Sequence, residues 1–387
     1  MSEAPHPALL PTGMQDLLPP DAEIEAGVVA QLMAILTAHG YQRVKPPLVE
    51  FEETLFAGAG AAMAASTFRL MDPVSHRMIG VRADMTPQIA RIAATRLGAA
   101  PRPLRLSYAG QVLRVTGSEI RPERQVGQVG AELIGAAGPA ADVEAIAVAA
   151  AALTALGVSR LTVDITLPTL VPAIVEAYGM GGEGETALRA ALDHKDVAAV
   201  AALAGKAGKL LEQLLLAAGP AAATLAALNH LDLPARASAE RARLGAVLDG
   251  LAAAAPELKL TVDPVENRGF EYHTGISFTF FAGGSAAHGP VGELGRGGRY
   301  GAGEPKALEP ATGFTLYTDT ILRTLPEISA SRRILLPLGA ERGRADALRK
   351  AGWVTVAGLS PAGDWRAEAR RLGCSHVLEG GDPVACG

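Results

Sequence analysis

The chain has 387 residues, 49% of them hydrophobic and 19% charged, with a formal net charge of -5. Length and composition describe a globular chain of two or three domains and speak against disorder or a broadly basic nucleic-acid surface. Its two cysteines, Cys374 and Cys386, make neither a disulfide framework nor a zinc quartet. No basic leader and no uncharged apolar run of about 20 residues is present, so a cytoplasmic protein without membrane contact is expected.

An irregular opening, Pro11-Thr-Gly-Met-Gln-Asp-Leu-Leu-Pro-Pro20, leads into a helix that Pro20 and Asp21 begin and Gly40 ends. Val28, Val29, Leu32, Ile35 and Leu36 form its apolar stripe. Strands are predicted over Tyr41–Val44 and Met78–Asp84. Thr86-Pro87 reads as an N-cap followed by proline at the first helical position. Leu104, Leu106 and Tyr108 alternate with Arg105 and Ser107, the pattern of a half-buried strand. After Gly110, Val112–Val115 and Val126–Ile134 read as a hairpin whose long polar loop, Thr116–Gln125, is of a kind that is often functional. In that loop Arg121 and Arg124 suit a solvated surface, a partner contact or an anionic ligand.

A helix over Ala141–Leu156 and a strand over Leu161–Ile165 come next, then an Ala- and Leu-rich helical insertion over about 178–257. Strands return at Gly275–Phe281 and Thr312–Tyr317. The tail, 331–387, reads strand, helix, strand, helix, strand: Ile334–Leu338, Arg344–Lys350, Val354–Ala357, Asp364–Leu372 and His376–Leu378. The whole is α+β, a mainly antiparallel sheet flanked by helices over 1–325 and a small α/β unit over 331–387.

Two segments carry polar residues in a pattern that suits a site. In Gln128-Val-Gly-Ala-Glu132, side chains two apart share a face, so Gly130 leaves a gap between an amide and a carboxylate. Asn267-Arg-Gly-Phe-Glu-Tyr-His-Thr-Gly275 adds a guanidinium, a phenol and an imidazole. Taken alone, each is equally a strand with a polar outer face; together they suit a small zwitterion such as a free amino acid. Thr86 serves equally as a cap, and Asp84 as a partner of the helix dipole. His273 stands in no cluster with metal-ligand spacing, so no metal is expected. The glycines of Gly295-Arg-Gly-Gly-Arg-Tyr-Gly301 lack the Gly-Lys-Ser/Thr of a phosphate loop.

With these segments in order, residues 8–322 resemble the catalytic domain of histidyl-tRNA synthetases, a class II synthetase fold. The opening Pro11–Pro19, the helix and strand ending at Pro47, Arg114 within Gln111-Val-Leu-Arg, the run Arg268–Gly275 and Gly297-Gly-Arg-Tyr300 match that family's motifs in sequence order. The resemblance implies histidine contacts from Asp84, Thr86, Arg114, Gln128, Glu132, Arg268, Tyr272 and His273. Glu132 would take the imidazole, Asp84 and Thr86 the ammonium, and Arg114 with Gln128 the carboxylate.

The ATP side departs from the synthetases. Thr116 stands where they place a glutamate for ATP, Val126 where an aromatic stacks on adenine, and Thr320 where an arginine holds the phosphates. Adenylate formation depends on such cations, and the tail is short for an anticodon-binding domain. The pattern is therefore similar to the synthetase paralogues that serve as ATP phosphoribosyltransferase regulatory subunits. That resemblance implies a non-catalytic chain without cofactor, dimeric through its class II core and needed by a short catalytic subunit. It would transmit feedback inhibition by histidine and require no tRNA. The competing expectations are an active histidyl-tRNA synthetase and a histidine-binding module with another partner.

Overall fold

The computed structural model of the chain describes residues 9–117, 122–180, 183–266, 272–283, 292–303, 307–325 and 332–386. It divides into two compact units, Met1–Pro326 and Glu327–Gly387.

The first unit is built on a nine-stranded sheet. In chain order its strands are β1 (Gln42–Arg43), β2 (Leu104–Leu113), β3 (Gln125–Ile134), β4 (Leu161–Thr166), β5 (Gly219–Pro220), β6 (Lys259–Asp263), β7 (His273–Ala282), β8 (Glu293–Ala302) and β9 (Glu309–Tyr317). Their spatial order is β1-β2-β3-β9-β8-β7-β4-β6-β5. All neighbours pair antiparallel except β1 with β2 and β4 with β6. Three helices set its frame: α1 (Asp21–Ala38), α2 (Thr86–Thr95) and α3 (Pro139–Ala155). The segment between β4 and β6 is largely helical, from Leu170–Ala177 to Ala235–Ala254, and also supplies the edge strand β5. A separate three-stranded sheet, Val49–Phe51, Arg69–Met71 and Met78–Val81, precedes α2. Among the described residues no helix is long and apolar enough to cross a membrane.

α1 begins with Asp21 and Glu23 in its first turn, where negative charge meets the positive helix end. It ends at Gly40, whose φ of 84° returns the chain so that Tyr41 N–H donates to the Leu36 carbonyl. Val28, Leu32, Met33 and Leu36 bury its inner stripe. Tyr41 then donates to Glu144 on α3 (3.1 Å), which also takes both guanidinium arms of Arg105 at 2.7 Å.

Four sequence expectations are corrected. β2 runs unbroken through Gly110 to Leu113, because β3 pairs with it along its whole length. It is not half-buried: Ser107 is as enclosed as Leu106 and Tyr108, since α1 packs against one face of the strand and α2 residues against the other. The strand from Met78 ends at Val81, where the chain turns toward α2. The glycine-rich segment 293–302 is a full strand, β8, held between β7 and β9.

The second unit is a four-stranded sheet in the order Val354–Ala357, Arg333–Leu336, His376–Glu379, Asp382–Ala385. The first three strands are parallel, as two helical crossovers, Arg342–Lys350 and Trp365–Arg371, require. Asp364 caps the second helix, accepting from Arg366 N (2.9 Å) and Ala367 N (3.1 Å), so that helix starts one residue later than the sequence pattern suggests. The last strand, Asp382–Ala385, is an addition to the expected elements.

One face of the large sheet carries a buried ion cluster. Asp142, in the first turn of α3 and fully enclosed, accepts from Arg299 of β8 (3.0 Å), Thr312 of β9 (2.9 Å) and Arg243 (3.3 Å). Arg299 also donates to the Ala136 and Gly138 carbonyls. Removing one member of such a cluster strands the others without solvent. Asp142→Ala is expected to lower unfolding free energy by about 3–5 kcal/mol in urea titrations; a loss below about 1 kcal/mol would contradict this role.

Candidate functional site

On the opposite face of the sheet three strands are hollowed by glycine. Gly130, Gly313 and Gly298 lie on β3, β9 and β8. Gly130 pairs with Thr315, Gly313 with Glu132, and Gly298 with Gly313. A Cβ on Gly313 would stand 1.7 Å from Glu132 Oε2, one on Gly130 2.4 Å from the Tyr108 hydroxyl, and one on Gly298 2.4 Å from His273 Cδ2. No side chain fits at any of the three without displacing a polar neighbour. The gap over Gly130 therefore holds the phenol of Tyr108 rather than open space between Gln128 and Glu132.

The resulting pocket, about 40 Å³, is lined by Asp84, Thr86, Glu132, Tyr272, His273, Arg296, Gly297, Gly298, Tyr300, Gly313, Phe314, Thr315 and Tyr317. Glu132 is 1% exposed. Its Oε2 accepts from Tyr300 at 2.9 Å, and its Oε1 is approached by Tyr108 at 3.5 Å. The Tyr108 hydroxyl also meets Thr315 at 2.7 Å and Thr86 at 3.3 Å. Tyr272 stacks on His273 with ring centres 4.3 Å apart and meets Tyr300 edge-on.

Burial pushes the Glu132 carboxyl up from its ordinary 4.5 to about 8; hydrogen bonds from Tyr300, Thr86 and Tyr108 oppose the shift, while the charge of Asp84 adds to it. Burial, joined by the negative charge of Glu132, likewise holds Tyr108 and Tyr300 far above the usual phenol range. Tyr108, Tyr300 and, raised likewise by burial, Tyr272 thus stay neutral. Arg296 binds Glu293 through both guanidinium arms; burial alone would lower its pKa, but that pairing holds it above the ordinary arginine value.

Asp84 and Thr86 enter at the start of α2. The helix begins at Thr86 with Met85 at the cap position, and no side chain caps it from there. The expected capping by Thr86 is corrected: Asp84 Oδ1 accepts from Thr86 N (2.8 Å), which frees the Thr86 hydroxyl to turn toward Tyr108 and Glu132. Gln128 steadies this turn, its amide donating to Asp84 Oδ2 (2.9 Å) and accepting from Met85 N (3.1 Å).

Of the residues singled out in the sequence, the pocket gathers Asp84, Thr86, Glu132, Tyr272 and His273. Gln128 supports it through Asp84 and faces a second concavity beside α1, with Glu25, Arg43 and Thr318. Arg114 is half-buried outside the lining, its Nε 3.5 Å from the Ala83 carbonyl. Arg268 and Arg121 lie outside the described residues. Tyr108, Arg296, Tyr300, Thr315 and Tyr317 were missed. Arg296-Gly298-Tyr300 and Gly313-Thr315-Tyr317 repeat the alternation of Gln128-Gly130-Glu132, so the same period-two reading could have found them.

Of the residues that the sequence resemblance matches to the synthetases' ATP contacts, Thr116 is exposed and Val126 is buried beside Val112 and Tyr317. Thr320, in the short helix Thr318–Leu322, is buried, and its hydroxyl has no hydrogen-bond partner among the described residues.

The fold and the pocket define a class II synthetase-like chain of the histidyl-tRNA synthetase type, and the histidyl-tRNA synthetase family model matches residues 13–321. A histidyl-tRNA synthetase structure from Nostoc shares the fold, with a TM-score of 0.77 at 18% identity over 96% of this chain and 91% of that one. The regulatory subunits of ATP phosphoribosyltransferase from Paramagnetospirillum magneticum and Rhodospirillum centenum are each 58% identical over 378 residues. That is 98% of this chain and 98% and 96% of theirs. A structure titled an ATP phosphoribosyltransferase regulatory subunit/histidyl-tRNA synthetase, from Bacillus halodurans, gives a TM-score of 0.78 at 26% identity, covering 96% and 97%. The chain belongs to the family of ATP phosphoribosyltransferase regulatory subunits.

The raised carboxyl carries a consequence for stability. Between pH 4.5 and about 8 the folded protein keeps a proton on Glu132 that the unfolded chain releases, so stability falls as pH rises through that window. Relative to Glu132→Gln, the unsubstituted protein is expected to lose roughly 2–5 kcal/mol between pH 5 and pH 8.5, at about 1.4 kcal/mol per unit, in paired urea titrations. Parallel pH profiles for the two proteins would contradict it.

Proposed function

We propose that this chain is the histidine-responsive, non-catalytic regulatory subunit of a hetero-oligomeric ATP phosphoribosyltransferase, acting at the first step of histidine biosynthesis. One observation carries the reading: a buried carboxyl, ringed by phenols, opens onto Asp84. A buried carboxyl is matched by a basic ring that shares its proton, and Asp84 by an ammonium. A zwitterion with a basic ring supplies both. Glu132 takes the imidazole and Asp84 with Thr86 the ammonium. Arg114 takes the carboxylate, and Tyr272 and His273 close over the ring. Gln128 acts through Asp84.

Feedback follows if histidine binds more tightly to the inactive arrangement of the complex, with a coupling of about 1–3 kcal/mol. The partner is a short catalytic subunit. A second copy of this chain joins through α1 and the edge strand β1. The protein works in the cytoplasm.

The test is the reconstituted complex. Glu132→Ala is expected to leave activation of the catalytic subunit within about twofold and to raise the histidine concentration for half-inhibition at least about 100-fold, the loss of a buried charged contact. Unchanged inhibition would overturn this placement of the effector.

A further inference from the structure

The two oxygens of Glu132 are not equivalent. Oε2 is held at 2.9 Å by the hydroxyl of Tyr300, and Gly313 leaves it the room to lie against β9. Oε1 has the long approach of Tyr108, at 3.5 Å, beyond the usual range for an O–H···O bond, and the Thr86 hydroxyl also turns toward the carboxyl. Among the described residues Glu132 makes no ion pair. The groups that face it are Asp84 from the turn before α2, Tyr108 from β2, Tyr272 and His273 at the start of β7, Arg296 and Tyr300 from β8, and Tyr317 from β9. Of the cations there, Arg296 is engaged by Glu293.

We propose that Tyr300 is a positioning residue that pins one oxygen of Glu132 so that the other shares a single proton with the imidazole of the ligand. This rests on the reading of the pocket as a histidine site. The proton begins on Glu132, and a ring nitrogen of neutral histidine accepts it through its lone pair. No other bond forms or breaks, and nothing is exchanged with solvent near neutral pH. The upward shift of the Glu132 carboxyl to about 8 agrees with this starting state, and Tyr300, itself held protonated by burial and by Glu132, stays a donor throughout. A phenol that donates to the charged form favours that form. Tyr300 therefore sets the pH above which the site has lost its proton and must take one up to bind.

The experiment is calorimetric titration of the full chain with L-histidine, in buffers of different ionisation enthalpy, from pH 6 to 9.5. Near pH 7 no net proton uptake is expected. Above about pH 8.5 uptake rises toward one proton and affinity falls about tenfold per pH unit. In Tyr300→Phe the onset of uptake moves upward by roughly half a unit or more. The α-amino group of the ligand titrates identically in both proteins, so the difference reads Glu132. If Tyr300→Phe fails to fold, Tyr108→Phe is read in the same way, with a smaller shift in the same direction. A uniform loss of affinity with no shift of the onset, or uptake already near one proton at pH 7, would overturn the proposal while leaving the histidine site standing. No binding by the unsubstituted protein at any pH would overturn the reading of the pocket, and this proposal with it.

Discussion

A carboxylate laid against a glycine organises this molecule's pocket. Glu132 can sit inside the sheet only because Gly313, its partner across the strand pair, has no side chain. Once there, it is cut off from water and must find hydrogen bonds or a proton. Tyr300 and Tyr108 answer part of that need, and each of those phenols is itself fully enclosed. Gly130 and Gly298 extend the same device to Tyr108 and His273. Glycine in a strand interior weakens the strand, so the hollow costs local stability that the flanking pairing must supply.

The sheet divides its work between faces. On the side of α3, Arg299 and Asp142 lock β8 and β9 to a helix start. One residue on, Tyr300 points into the pocket, as strand alternation demands. The ion cluster thus fixes, from behind, the strand that carries the main hydrogen bond to Glu132. The register that aims the pocket's side chains is thus held by contacts on the opposite face of the sheet. Thr320 and Val126, which the sequence resemblance matches to synthetase ATP contacts, are neutral and buried here. Fold and function are separable in this way because the site is grafted on the scaffold.

Much of this was legible in the sequence where the signal is local. Pro20, Asp21 and Gly40 bound α1 because caps and breakers act within a turn. The alternation around Gly130 placed Gln128 and Glu132 on one face of the strand. The failures share a cause. β8 was passed over because Gly295, Gly297, Gly298 and Gly301 depress strand propensity, and its strand state comes from β7 and β9 on either side. Gly110 was taken as a break for the same reason, though β3 pairs straight across it. The burial of Ser107, and the place of Tyr108 beneath Gly130, depend on register, which no single strand encodes. Thr86 was misread as a cap because its neighbour Asp84 performs that task at equal propensity.

On the proposed reading, the pocket holds an amino acid but cannot join it to a nucleotide. The most direct measurement is a sequential calorimetric titration of the purified chain, first with histidine to saturation and then with ATP and magnesium in the same cell. The expected result is saturable histidine binding near one per chain and no further heat from ATP. Heat from ATP accompanied by release of pyrophosphate would contradict it.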